Sequence, residues 1–148
     1  MHVYHRNARK AIVVDIDGTI SNLSDVLGGG YQMGISLNEK IEAAEPIEPV
    51  VNLVKVFAEA GYAIVIQTAR SIVHYEATVR WLKKHGIPFD MLYVTDHNDS
   101  SSYEKQKEEF YEHMKHLFHI EMVVEDLESC VRMWKSKGLK VLQPQTTY

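Results

Sequence analysis

A single cysteine, Cys130, stands among the 148 residues, so the chain holds no internal disulfide, and this usage agrees with a reducing compartment. No apolar run approaches the roughly 18 residues a membrane-crossing helix requires. The opening MHVYHRNARK is too polar for a signal peptide, which together with the lone cysteine leads to an expectation of a cytoplasmic protein. There is no excess of positive charge either: the formal net charge is −4, so the overall field does not draw in polyanions, and a nucleic-acid role has to rest on local basic groups such as Arg6, Arg9 and Lys10. Neither G-x-x-x-x-G-K-[ST] nor G-x-G-x-x-G occurs, despite the adjacent Gly28, Gly29 and Gly30, which argues against a glycine-rich nucleotide cradle. No internal repeat or linker interrupts the chain, and one domain spanning 1–148 is expected.

What is present is an alternation of short apolar runs with amphipathic stretches. Ile12 to Val14, Tyr62 to Gln67, Asp90 to Val94, Glu121 to Val124 and Leu139 to Leu142 read as five strands. Pro49 to Ala60, Ser71 to His85, a segment starting at Ser101, and Leu127 to Lys137 read as four helices. Ser101 and Glu104 have capping-box spacing, and Phe110, Met114 and Leu117 are expected to share a face of the third helix, as are Tyr75, Val79 and Leu82 in the second. Ser21 to Glu45, with Gly28, Gly29, Gly30 and Gly34, has no steady period and reads as a loop or small flap. His113, His116 and His119 lack a partner set for zinc, and Cys130 reads as a packed core thiol. The expected fold is α/β: a doubly wound, mainly parallel five-stranded sheet with a minimal cap or none.

In such a fold the C-terminal ends of the strands share one edge, where ligands bind. The first strand ends in Asp15, Ile16, Asp17, Gly18 and Thr19, the second in Thr68, Ala69 and Arg70, and the fourth in Glu125 and Asp126; Lys107 comes early in the third helix. Phosphate-ester hydrolysis uses all of these. Asp15 would attack phosphorus, and Asp17 would protonate the leaving oxygen and then activate water. Thr68 and Lys107 would hold phosphoryl oxygens, with Gly18, Thr19, Ala69 and Arg70 around the substrate. Glu125 and Asp126 would complete an oxygen-ligated Mg²⁺ site with Asp15. Lys105 is the rival for the Lys107 role, but the two residues cannot share a helix face.

In these residues the chain resembles the haloacid dehalogenase (HAD) superfamily, whose four motifs appear in order as DIDGT from Asp15, Thr68, Lys107 and the Glu125-Asp126 pair. The resemblance implies an aspartyl-phosphate mechanism through Asp15 and Asp17, with a metal held by Asp15, the main-chain carbonyl of Asp17, and Asp126. Within the superfamily the chain is most similar to the phosphatase domains of bacteriophage polynucleotide kinase/3′-phosphatases, through DIDGT, TAR at Thr68, KEEF from Lys107 and VVEDLESCVRMWKSKGLKVLQ from Val123. Against that pattern Ala69 replaces a glycine, Glu125 an aspartate and Leu127 an arginine, and Ser101-Ser102 replaces an Arg-Lys pair. The resemblance implies 3′-phosphorylated nucleic-acid ends as substrate and, without a kinase P-loop, a separate kinase or ligase partner. A small-molecule phosphatase and a catalytically silent binding domain remain as alternatives.

Overall fold

The computed structural model describes residues 8–23, 36–96 and 99–145. Most of the glycine-rich segment, Arg6, and the His97-Asn98 part of the expected polar loop lie outside the described residues. Five strands, β1 (Arg9–Val14), β2 (Ala63–Ser71), β3 (Met91–Thr95), β4 (Phe118–Val124) and β5 (Lys140–Leu142), form one sheet in the order β3-β2-β1-β4-β5. Every pairing between them is parallel. The described helices are α1 (Leu37–Ala43), α2 (Glu48–Glu59), α3 (Tyr75–Lys84, entered through a 3₁₀ turn at Ile72–His74), α4 (Tyr103–Met114) and α5 (Glu128–Ser136). None is long and apolar enough to cross a membrane.

Strand periodicity explains the layering. Ile12, Val14, Ile64 and Ile66 point to one face, where they pack with Val51, Val54, Trp81 and Leu82 of α2 and α3. Their neighbours Ala11, Val13, Ala63 and Val65 point to the other, against Phe110, Met114, Cys130 and Trp134 of α4 and α5. A sheet covered on both faces needs continuous apolar strands, which is why β1 reads as an unbroken run. Each fully buried aliphatic side chain here contributes about 1.5–3 kcal/mol.

Several elements differ from the sequence reading. The segment expected to be loop contains α1, capped by Ser36, whose Oγ accepts from the Glu39 amide at 3.2 Å. This seven-residue helix lacks a long amphipathic period because tertiary contacts hold it: Arg80 reaches Glu42 at 2.6 Å, and the Trp81 indole donates to the Ala44 carbonyl at 2.8 Å. The cap of α4 is Ser102, accepting from the Lys105 amide, because Asp99 draws the Ser101 amide into a preceding turn at 2.9 Å. That helix ends at Met114, so Leu117 is exposed and His119 already belongs to β4. The buried face of α3 is Ala77, Thr78, Trp81 and Leu82, with Tyr75 outside it.

Candidate active site

β1 lies between β2 and β4, and its C-terminal end is where the chain reverses direction across the sheet. The Asp15 amide donates to the Val124 carbonyl at 3.0 Å, placing the loop after β1 beside the end of β4. The Ile16 carbonyl then accepts from the amides of Thr19, Ile20 and Ser21 at 2.9–3.0 Å, while Gly18 sits at φ +79°. A side chain at that φ is strained, so glycine permits the tight turn that brings Asp15 and Asp17 to one edge.

Four acids, Asp15 and Asp17 of this turn with Glu125 and Asp126 after β4, meet two cations, Arg70 of β2 and Lys107 of α4. Lys107 Nζ donates to Asp15 Oδ1 at 3.0 Å and makes a short contact with Glu125 Oε2. The other oxygen of Glu125 accepts from the Leu127 amide at 3.3 Å, so both its oxygens are engaged. The Thr19 hydroxyl lies 3.1 Å from Asp15 Oδ2 and 3.0 Å from Asp126 Oδ1, bridging the two carboxylates. Arg70 donates through Nε to Asp17 Oδ2 at 3.1 Å and through Nη2 to Asp17 Oδ1 at 2.7 Å. Its Nη1 reaches Thr78 Oγ1 at 3.0 Å, and that hydroxyl in turn donates to the His74 carbonyl.

Asp15, Asp17, Ala69, Arg70, Lys107, Glu125 and Asp126 thus line one crevice of about 420 Å³, although the chain separates them by up to 111 positions. Thr68, Gly18 and Thr19 lie behind this lining. Thr68 Oγ1 accepts from the Arg70 amide at 3.1 Å, and the Thr68 carbonyl and Gln106 Oε1 share the Thr95 hydroxyl at 3.3 and 3.1 Å. β2 runs on to Ser71, so Thr68 to Arg70 belong to the strand rather than to a loop beyond it. Lys107 is 3% exposed while Lys105 faces solvent, which assigns the buried ammonium. The residues that sequence reasoning missed are Thr78, which orients Arg70, and the apolar side chains Leu23, Leu37, Ile41, Tyr103 and Leu127. The cap signal at Ser36 was the one feature that could have drawn attention to the helix carrying Leu37 and Ile41.

Arg9 and Lys10, the first residues of β1, do not reach this edge. Arg9 and Lys10 are at the opposite end of the strand, about 20 Å from Asp15 at some 3.3 Å per residue, and they pair with Asp90 and Glu121. The expectation that Arg9 and Lys10 serve as local basic groups for nucleic acid is therefore corrected as far as this edge is concerned.

Burial raises the Asp15 carboxyl to about 6; Lys107 opposes the shift, and the charges of Asp126 and Asp17 add to it. Burial, followed by the Asp15 charge, pushes Glu125 up to about 7 against the pull of Lys107. Burial works to lower Lys107, but Asp15 and Glu125 outweigh it and hold the ammonium above its ordinary value. Cys130, buried behind Lys107, is pushed up to about 12 by burial and is no nucleophile.

Ligand atoms of Asp15, Glu125 and Asp126 lie within 4.8 Å of one another. With Asp17 included, the acids outnumber Lys107 and Arg70 by two charges in a buried setting. All the donors are hard oxygens. The donor set and its charge excess fit a divalent cation of the Mg²⁺ type. Glu125 is turned to Lys107 and the Leu127 amide, while Asp15 and Asp126 face each other across the Thr19 hydroxyl, so these two are the candidate side chains to hold one.

The family model described as the Polynucleotide kinase PNKP phosphatase domain matches residues 9–147. The chain belongs to this family. It is thus a phosphatase domain of the HAD superfamily. Among solved structures, chains in two structures of the Pnkp1/Rnl/Hen1 complex superpose with TM-scores of 0.78 and 0.80 at 24% and 23% identity. They match 94% and 99% of this chain but 47% and 46% of their own length, so the PNKP-type domain described here spans about half of those chains. The class C acid phosphatase from Bacillus anthracis shares the fold at a TM-score of 0.70 and 16% identity, over 97% of this chain and 69% of its own.

Proposed function

We propose that this domain is a Mg²⁺-dependent polynucleotide 3′-phosphatase working through an aspartyl-phosphate on Asp15. The observation that carries this reading is the pairing of Asp15 with Lys107 beside Asp17, at the floor of a crevice open to an ester. Asp15 attacks phosphorus while the 3′-oxygen leaves and takes a proton from Asp17. Asp17, now a base, removes a proton from water, which attacks the same phosphorus and releases inorganic phosphate and free Asp15. Lys107 and the Thr68-to-Arg70 strand end stabilise the phosphoryl oxygens as charge shifts onto them. Arg70 holds Asp17 by both oxygens and so fixes the direction of proton transfer. Mg²⁺, bound by Asp15, Asp126 and the Asp17 carbonyl, would supply positive charge to the phosphoryl group. Glu125 orients Lys107.

The family match supports the nucleic-acid substrate, and a separate kinase or ligase partner would complete end repair in this reading. Two of the similar structures are of the Pnkp1/Rnl/Hen1 complex, one of them an RNA repair complex. A small-molecule phosphatase gains some support from the apolar wall of Leu23, Leu37 and Ile41, which gives a compact ester something to pack against. Phosphate release from a 3′-phosphorylated oligonucleotide, 3′-mononucleotides and sugar phosphates separates the two. A higher kcat/KM on the oligonucleotide is expected; equal or better turnover of a free metabolite would favour the alternative.

A further inference from the structure

The chemistry at the floor of the crevice is charged, whereas the described residues at its mouth are mainly apolar. Tyr103, Leu127 and Leu37 all line it, and they are 56%, 41% and 39% exposed. Ile72 and Val73, also exposed, belong to the same 3₁₀ turn as His74, which together with Ser71 completes the lining. Large apolar side chains left in water and gathered at one place mark a surface that binds something. Here the group they face is set by the reaction: whatever is esterified to the phosphate has to extend through this mouth. A sugar phosphate would call for several polar side chains to meet its hydroxyls. Among the described residues the mouth offers mainly hydrocarbon together with the Tyr103 ring, and the Nδ1 of His74 is already bonded to Asn38 at 2.7 Å.

Tyr103 has a particular relation to the phosphate site. It is the first residue of α4, four positions before Lys107, so the two side chains share a helix face about 6 Å apart along the axis. Lys107 reaches inward to Asp15, and the tyrosine ring is left at the rim one turn away. That offset matches the step from a 3′-phosphate to the base of the same nucleotide. We infer that Tyr103 is the platform on which the base of the 3′-terminal nucleotide stacks, with Leu37 and Leu127 as apolar walls. This rests on the 3′-phosphatase reading and adds to it the residue that recognises the leaving nucleoside. Stacking on an aromatic face accepts any of the four bases, so the domain would require a terminal base without selecting its identity.

The test compares the parent with Tyr103→Ala and Tyr103→Phe on two oligonucleotides bearing a 3′-phosphate, one ending in a normal nucleotide and one in a stable tetrahydrofuran abasic residue. On the base-bearing end Tyr103→Ala is expected to lose about tenfold in kcat/KM, mostly through KM, while Tyr103→Phe stays within about twofold, as stacking requires only the ring. On the abasic end the three proteins should be alike. Equal activity of Tyr103→Ala and the parent on the base-bearing end, or the same loss on both ends, overturns the stacking role. Failure of the parent to release phosphate from either end removes the 3′-phosphatase reading itself and the stacking role with it. Thermal melts of the three proteins establish that each is folded.

Discussion

The two nitrogens that Arg70 directs at Asp17 meet both carboxylate oxygens, at 3.1 and 2.7 Å, and the third nitrogen of the same guanidinium is held by Thr78. Such a fork fixes the plane of the carboxylate as well as its position, which a single-point cation does not do. Asp17 is thereby oriented by β2 and α3 together, although it belongs to the loop after β1. Arg70→Lys is expected to reduce kcat about a hundredfold, at the lower bound of what a positioned acid/base contributes, with a smaller change in KM. Steady-state kinetics on both parameters check this, and a pure KM effect would leave Arg70 a substrate contact and remove its role in positioning Asp17.

Asp15→Asn should abolish phosphate release without unfolding the domain. The amide keeps the shape of the carboxylate but cannot form the acyl-phosphate. Circular dichroism and turnover on the same sample decide the matter; activity near the parent's would remove Asp15 as nucleophile.

Lys107→Ala should be far more damaging than Lys105→Ala. Lys107 is buried between Asp15 and Glu125, and its loss leaves two carboxylates facing each other, whereas Lys105 is exposed. Turnover is expected to fall by a factor on the order of 100 or more for the first, in line with loss of an oxyanion-stabilising donor, and to change little for the second. Phosphate release by the two variants side by side is the measurement.

The raised carboxyls give the metal-free protein a definite pH dependence. Asp15, near 6, and Glu125, near 7, hold protons in the native state that they would release in the unfolded chain above 3.8 and 4.5. Between those values the native state binds more protons, so stability falls as pH rises from about 4 to 7. Lys107 does not offset this, because its contribution is lost only at alkaline pH. Melting in the presence of a chelator should show this contribution as a decline in Tm across the window, and Asp15→Asn should flatten it. Added Mg²⁺ should raise Tm more at pH 7.5 than at pH 5, and Asp126→Ala should require a higher Mg²⁺ concentration for both stabilisation and turnover. A Tm response to Mg²⁺ independent of pH would argue against the acidic site.

Much of this architecture was legible because strands buried on both faces are written as uninterrupted apolar runs. Ile12 to Val14 and Ala63 to Ile66 read as such strands, and the places of Asp15 and Asp126 follow from where they end, while Lys107 comes to them from α4. The pairing of Arg70 with Asp17 was not legible, since side chains 53 positions apart reveal a shared fork only when both strand ends are in place. Nor was α1, whose seven residues are helical through Glu42 and Ala44 meeting α3 rather than through their own periodicity. The shift of the α4 cap from Ser101 to Ser102 shows the same limit at the scale of one residue: two adjacent serines offer the same side chain, and Asp99 chooses between them.

The central position of β1 has a consequence for how activity is gained. Its neighbours are β2, some fifty residues later, and β4, more than a hundred residues later, so Asp17 acquires its partner Arg70, and Asp15 its neighbour Asp126, only after two long-range parallel pairings have closed. Pairings of that sequence separation are the slow events of folding. On refolding from denaturant, helical signal should therefore return ahead of turnover, and the competence of the site should report completion of the sheet from its middle outward.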